Sequence, residues 1–169
     1  MTVPTSAATE PAGLTHVDDA GAARMVDVSA KQASLRTAVA TGVVRTTSEV
    51  TKLLTANALP KGDALATARI AGIMSAKRTA DLVPLCHPIS ISGVTVDLEV
   101  GDAEVRIAAT VRTTDRTGVE MEALTAVAVA GLTLHDMIKA VDPAAVLDAV
   151  MVQRKDGGKT GSWIRPEGR

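Results

Sequence analysis

Two neighbouring stretches of alternating apolar and polar residues constrain the fold of this chain more than any other feature. Residues 89–100 place an apolar side chain at nearly every second position, and residues 104–113 repeat that alternation. A period of two is typical of β-strands with one buried face. The short link at Gly101 and Asp102 predicts that the two strands form an antiparallel hairpin.

Helices and further strands surround this hairpin. Asp63 is a good helix cap, and apolar spacing predicts helices over 48–56, 63–82, 119–141 and 143–150 and strands over 34–46 and 151–154. Helices and antiparallel strands in this order predict an α+β fold of the split-βαβ type, built as one domain.

The composition limits the partners and the surroundings of the chain. Its 169 residues carry a net charge of -1, which argues against a general nucleic-acid binder, since such proteins are usually basic. One cysteine excludes an internal disulfide and fits a reducing compartment, so we expect a cytoplasmic protein. Apolar runs without charge fall short of the roughly 18 residues of a membrane span, so we expect no membrane partner.

The two ends of the chain differ from its middle. Residues 1–13 are rich in Thr, Ala, Pro and Ser without periodicity, which predicts a disordered tail and no signal peptide. We expect residues 162–169 to form a flexible C-terminal end. One functional domain therefore remains over residues 14–161.

The predicted helix over 119–141 is apolar or small on every face in its central part. Such a helix is normally buried on all sides. A second subunit would cover it most easily, and its small residues would permit close helix approach: Ala126, Ala128, Ala130 and Gly131. A central helix within one domain is the alternative, and both interpretations stay open here.

Polar residues mark the ends of this helix and the start of an earlier one. Asp136 and Lys139 share a helix face, either as a solvated ion pair in the last turn or as a proton-transfer pair at a pocket. Lys61 lies beside Gly62 at a helix start, where backbone N–H groups suit a phosphate, although a loop lysine is common on any surface.

Several familiar kinds of site do not fit the spacing. His16, His87 and His135 lack the close pairing of a structural zinc site. Cys86 and His87 are adjacent in the chain, whereas a catalytic Cys–His pair normally meets in space. The glycine-rich segment 155–161 lacks the first glycine of a P-loop, which leaves either a phosphate-binding tail or a disordered one.

Taken together, the motifs of the chain resemble the cyclic pyranopterin monophosphate synthase family, also called the molybdenum cofactor biosynthesis protein C family. The resemblance spans about residues 14–161. It rests on the stretches around residues 14–17 and 25–29, on Lys61-Gly62-Asp63, Ala66–Gly72, Ala76–Thr79, Leu85-Cys86-His87-Pro88, Gly118–Thr125, Asp136-Met137, Lys139-Ala140-Val141 and Gly157-Gly158-Lys159.

The resemblance implies a lyase of the phosphorus–oxygen class. Such an enzyme converts 3′,8-cyclo-7,8-dihydroguanosine 5′-triphosphate into cyclic pyranopterin monophosphate and releases pyrophosphate. It implies a ferredoxin-like antiparallel sheet packed with helices. It also implies a homo-hexamer, a trimer of dimers, with active sites at the dimer interface.

The resemblance also implies roles for individual residues. The catalytic residues fall on Asp136, Lys61 and Lys139. The substrate-binding residues fall on Leu85, Cys86, His87, Glu120, Met121, Glu122 and Lys155. Arg69 is a further candidate, because a triphosphate needs cations. No dedicated metal motif is present and no cofactor is expected to be required, although Mg²⁺ could accompany the phosphates.

Two other functions compete with this interpretation. The chain could bind a nucleotide or pterin without catalysis, or its apolar helix could serve only for assembly. The first leaves the set of Asp136, Lys61 and Lys139 without a purpose, and the second also leaves the clustered His and Glu residues unexplained.

Overall fold

The computed structural model of the protein describes residues 22–168. The strands are β1 (Ser34–Arg45), β2 (Ile91–Val100), β3 (Glu104–Asp115), β4 (Val146–Asp156) and β5 (Trp163–Ile164). The helices are α1 (Ser48–Thr55), α2 (Ala64–Ala76), α3 (Thr79–Leu82) and α4 (Glu120–Ile138).

The five strands form one antiparallel sheet in the order β2-β3-β1-β4-β5. The first four strands and the helices between them follow the β-α-β-β-α-β sequence of a ferredoxin-like fold. The predicted α+β class and the predicted hairpin are therefore confirmed. Ala103 closes that hairpin in a left-handed conformation, with φ of 55°.

One face of the sheet carries the core. Alternate residues of β2 and β3, among them Val96, Ile107 and Val111, are buried beneath the helices. Val127 and Leu134 of α4 are buried in the same core. The period-two pattern thus arises because one face of each strand meets the helices.

The predicted long helix over 63–82 is two helices. Asp63 caps α2 as expected, its carboxylate accepting the Ala66 N–H at 2.9 Å. At the far end the hydroxyls of Ser75 and Thr79 donate to the carbonyls of Gly72 and Ala76. Such bonds compete with helix continuation, and the chain turns before the short α3.

The predicted helix over 143–150 is wrong, because most of that segment belongs to β4. The predicted strand over 151–154 lies inside the same element. Ala149 has φ of 52°, and the pairing with β1 shifts register twice. These irregularities disturb the alternation that would have indicated a strand. This segment forms a strand because it pairs with the free edge of β1.

The two ends of the chain have different outcomes. The predicted tail 1–13 and the first residues of the predicted domain lie outside the described residues. Within the end predicted to be flexible, β5 pairs with Arg154 and Lys155 of β4. The C-terminal end is thus partly extended along the sheet, because β4 offers it a free edge.

Helix α4 is buried largely by its own chain. Ala126 and Ala130 pack against Gly72 of α2, and Gly131 packs against Leu147 of β4. Close approach at these small residues therefore serves intrachain packing. By length and composition α4 could also cross a membrane, but 50% of the relevant window is buried inside the fold, as in a core helix.

The α2–α4 contact predicts a stability effect. A Cβ on Gly72 would lie 2.9 Å from the Ala126 carbonyl oxygen, which the helix backbone cannot easily move. We expect Gly72→Ala to lower the free energy of unfolding by about 1–2 kcal/mol, despite the better helix propensity of alanine. Gly93→Ala, where the new Cβ meets nothing within 4 Å, is the matched control. Equal urea midpoints for the two variants would contradict this packing.

Candidate functional site

A cavity of about 350 Å³ opens at the N-terminal end of α4. It brings together six of the residues predicted to bind substrate: Leu85, Cys86, His87, Glu120, Met121 and Glu122. The loop after α3 supplies the first three and the first turn of α4 supplies the others. We call this space the ring cavity, because the residues that line it are those expected to bind the ring of the substrate.

His87 is held by the segment that precedes β1. Its Nε2 lies 2.7 Å from the Val26 carbonyl oxygen, so Nε2 carries the proton and donates it to that oxygen. In the neutral ring Nδ1 is then an acceptor. The histidine therefore positions the segment around Val26 and leaves one nitrogen for a ligand.

Glu122 is a buried carboxyl group without a hydrogen-bond partner for one oxygen. Its residue is 3% exposed, and Oε2 has no partner within the described part of the chain. Burial, reinforced by the nearby charge of Glu120, raises the pKa of Glu122 to about 7, against the effect of its backbone hydrogen bond. The carboxyl group of Glu122 therefore titrates near neutral pH.

Cys86 does not have the properties of a nucleophile. Burial raises the pKa of its thiol, and the charge of Glu122 raises it further. A reactive cysteine needs a lowered pKa, because the thiolate is the attacking species. Cys86 therefore lines the ring cavity as a thiol.

The three predicted catalytic residues meet at the other end of α4. Lys61 Nζ lies 2.8 Å from Asp136 Oδ2, and Lys139 Nζ lies 2.6 Å from Asp136 Oδ1. Lys61 also donates to the Asp136 carbonyl at 2.8 Å. Hydrogen bonds from Lys139 first, and then from Lys61, lower the pKa of Asp136 to about 2. The carboxylate stays ionised, and the two ammonium groups are the available proton donors.

These two groups of residues lie far apart within one chain. Glu120 begins α4 and Asp136 is in its last turn. Sixteen positions at 1.5 Å per residue separate them by about 24 Å. One chain therefore assembles each half of the predicted site but does not join the halves.

Lys155 lies beside the ring cavity, in a second and smaller one. Its Nζ is 3.6 Å from Glu120 Oε1 and 3.0 Å from Thr160 Oγ1. Three further cations line this second cavity: Lys31, Arg36 and Arg116. Sequence analysis missed them, because they come from a loop, a strand end and a turn that share no periodic pattern. We call this space the basic cavity.

Arg69 lies apart from both cavities. Its Nε donates to the Val96 carbonyl oxygen at 3.0 Å, which ties α2 to β2. Among residues 22–168, no group of three or more His, Cys, Asp and Glu side chains is arranged to hold a metal ion.

Comparison with known proteins identifies the family. The sequence model of the MoaC family matches residues 25–158. The chain is 66% identical over 152 residues to cyclic pyranopterin monophosphate synthase from Streptomyces coelicolor, covering 90% of this chain and 89% of that protein. It is 63% identical over 169 residues to the synthase of the same name from Streptomyces avermitilis, covering 98% and 99%.

A further relative carries a numbered form of the name. Cyclic pyranopterin monophosphate synthase 2 from Mycobacterium tuberculosis is 60% identical over 152 residues, covering 90% of this chain and 91% of that protein. The residues matched by the family model, 25–158, include those that line the ring cavity and also Lys61, Asp136 and Lys139. The chain belongs to the MoaC family.

Proposed function

We propose that this protein converts 3′,8-cyclo-7,8-dihydroguanosine 5′-triphosphate into cyclic pyranopterin monophosphate and pyrophosphate, in molybdenum cofactor biosynthesis. The observation that carries the proposal is that the buried Glu122, whose Oε2 has no hydrogen-bond partner in the described part of the chain, lines a cavity beside a cluster of cations. A purine-derived ring with N–H donors and a phosphate tail matches both features.

Two copies of the chain complete each active site in this proposal. Glu122 and Asp136 are fourteen positions apart on α4, about 21 Å in one chain, which is too far for one small substrate. A partly open stripe of Leu124, Ala128 and Leu132 runs along α4 toward Asp136. Leu132 is 62% exposed, so this stripe offers apolar area to a second copy. Three such dimers would make the expected hexamer.

Proton transfers are assigned to the set at Asp136. Lys61 and Lys139 donate to nitrogen and oxygen atoms of the opening ring, and Asp136 holds both ammonium groups in place. In the last step a sugar hydroxyl oxygen bonds to the α-phosphorus and loses its proton, which passes to the leaving pyrophosphate. The bond from that phosphorus to the bridging oxygen breaks, and pyrophosphate leaves with this oxygen. Ammonium groups nearby stabilise the growing negative charge.

Ring recognition is assigned to Glu122 and Glu120. Ionised carboxylates accept N–H groups of the guanine-derived ring. Met121 and Leu85 line the same cavity with apolar atoms. Any Mg²⁺ is held by the phosphates, and no other cofactor is needed. The cytoplasm, which supplies nucleotide substrates, is the proposed location.

The first test removes the central carboxylate of the catalytic set. Asp136→Asn leaves Lys61 and Lys139 without their anion, so we expect turnover to fall by about 10²- to 10⁴-fold. The assay follows pyrophosphate release from the cyclised nucleotide. Asp148→Asn is the matched control, because Asp148 is a similarly exposed carboxylate paired with Arg45 at 3.0 Å on another surface. Full turnover in Asp136→Asn would remove this residue from the mechanism.

The second test uses pH and guanosine, which carries no titrating phosphate. The pKa of Glu122 is raised to about 7, and the ring binds the ionised form. Affinity should therefore rise about tenfold from pH 6 to pH 8 and be lost as the carboxylate is protonated. Calorimetric titration measures this rise.

Glu122→Gln is the control for the pH profile, because its amide does not titrate and His87 remains. The part of the profile that Glu122 causes should disappear in this variant. Identical profiles in the wild type and the variant would show that Glu122 does not meet the ring as a carboxylate.

A further inference from the structure

We propose that Asp142 is a positioning residue for the proposed reaction. Together with Thr46 it fixes the turn at the end of α4 that carries Lys139, and so keeps Lys139 within reach of Asp136. The inference rests on the proposed function, which assigns proton transfer to the set at Asp136. Sequence analysis singled out neither Asp142 nor Thr46. Asp142 acts through Lys139 and does not itself need to contact the substrate.

Packing does not hold the side chains of the set at Asp136. The exposed fraction of the side chain is 55% for Asp136, 54% for Lys139 and 41% for Lys61. Exposed ion pairs leave long side chains much of their rotational freedom and contribute little to stability. The position of the backbone that carries Lys139 therefore has a large influence on whether its ammonium group meets Asp136.

The backbone turns sharply where α4 ends. The last helical residue is Ile138, and Lys139 is the C-cap. Pro143 has no N–H and disfavours helical backbone at the residue before it, so the helix cannot continue through this segment. The N–H groups of Val141 and Asp142 both donate to the Ile138 carbonyl, at 2.8 Å and 3.0 Å. A tight turn thus follows the helix, with Lys139 at its start and Asp142 at its end.

Asp142 is the buried end of this turn. It is 8% exposed, and both oxygens of its carboxyl group accept hydrogen bonds. Oδ1 accepts the Ala144 N–H at 3.0 Å, which shapes the turn locally. Oδ2 accepts the Thr46 hydroxyl at 2.8 Å, from 96 positions away in the sequence. Such a group is costly to move, because each lost bond leaves an unpaired polar atom in the interior.

Thr46 is itself fixed to the sheet. Its N–H donates to the Ala103 carbonyl at 2.9 Å, in the turn between β2 and β3. The next residue, Thr47, caps α1 by accepting the Val50 N–H. Asp142 thus ties the end of α4 to the end of the sheet where β1 stops and the β2–β3 hairpin turns.

The test replaces the Thr46 hydroxyl with a methyl group. Thr46→Val keeps the β-branched shape and removes the donor to Asp142. We expect kcat for pyrophosphate release to fall by about tenfold to hundredfold, since small displacements of a reacting group are costly. Guanosine affinity should be unchanged, because the ring cavity lies at the other end of α4. Thr46→Ser, which keeps the hydroxyl, should restore turnover.

Thr55→Val is the matched control. The Thr55 hydroxyl also donates at 2.8 Å, to the Thr51 carbonyl within α1. This variant loses a hydroxyl bond of the same length away from the end of α4, so its kcat should equal that of the wild type.

A second measurement separates positioning from a role in stability alone. It follows the Asp136 carboxyl group by carbon-13 nuclear magnetic resonance, with the signal identified by its loss in Asp136→Asn. Hydrogen bonds from Lys139 and then Lys61 lower the pKa of Asp136 to about 2, so the wild-type signal should hardly move between pH 6 and about pH 3.5. In Thr46→Val the weaker contact with Lys139 should raise the pKa towards its ordinary value, and the signal should titrate in that range. A role in stability alone would lower the melting temperature without moving this signal.

The possible outcomes separate this inference from the proposed function. Either a normal kcat or an unmoved Asp136 signal in Thr46→Val overturns the inference, as does an equal loss of turnover in Thr55→Val. A wild type without turnover contradicts the proposed function, and the Asp136 signal then decides by itself whether Thr46 and Asp142 position Lys139.

Discussion

The packing of α4 is the constraint on which the rest of the structure depends. Ala126 and Ala130 bring this helix close to α2 at Gly72, and Val127 and Leu134 bury its other side against the sheet. A helix held on two sides cannot tilt or shift without opening the core. Its two ends therefore hold their charged side chains at fixed places and in different surroundings.

Those surroundings give the two ends opposite acid–base properties. At the first turn the helix dipole favours a carboxylate, yet burial dominates and raises the pKa of Glu122 to about 7. At the last turn the two exposed lysines lower the pKa of Asp136 to about 2. In the proposed mechanism Glu122 recognises the ring at one end of α4. At the other end Asp136 stays ionised and holds the two lysines that donate protons.

Local patterns predicted much of the fold. The alternation of β2 and β3, the Asp63 cap and the long apolar helix all follow from rules that act over a few residues. The segment 143–150 failed because Ala149 and the shifted register of β4 disturb the period, and because pairing with β1 is not visible locally. In this segment the local preference for a helix is overridden by pairing with β1, which lies far away in the sequence.

Only part of the site could be predicted, because the sequence does not show which distant residues meet in the fold. Motif resemblance identified the residues of the ring cavity and the set around Asp136, and the structure brings each group together. It could not indicate that the groups are about 24 Å apart. Lys31 and Arg36 converge only through the fold, while Arg69, chosen for its charge, bonds to the Val96 carbonyl.

The central claim is that each active site uses Glu122 from one copy and Asp136 from another. The most direct measurement mixes two inactive variants, Asp136→Asn and Glu122→Ala, after reversible dissociation and reassembly. In a mixed dimer one site has both intact halves, so random pairing should restore about a quarter of wild-type turnover. Each variant reassembled alone should stay inactive. If the mixture stays inactive although mass spectrometry shows mixed assemblies, the shared site is contradicted.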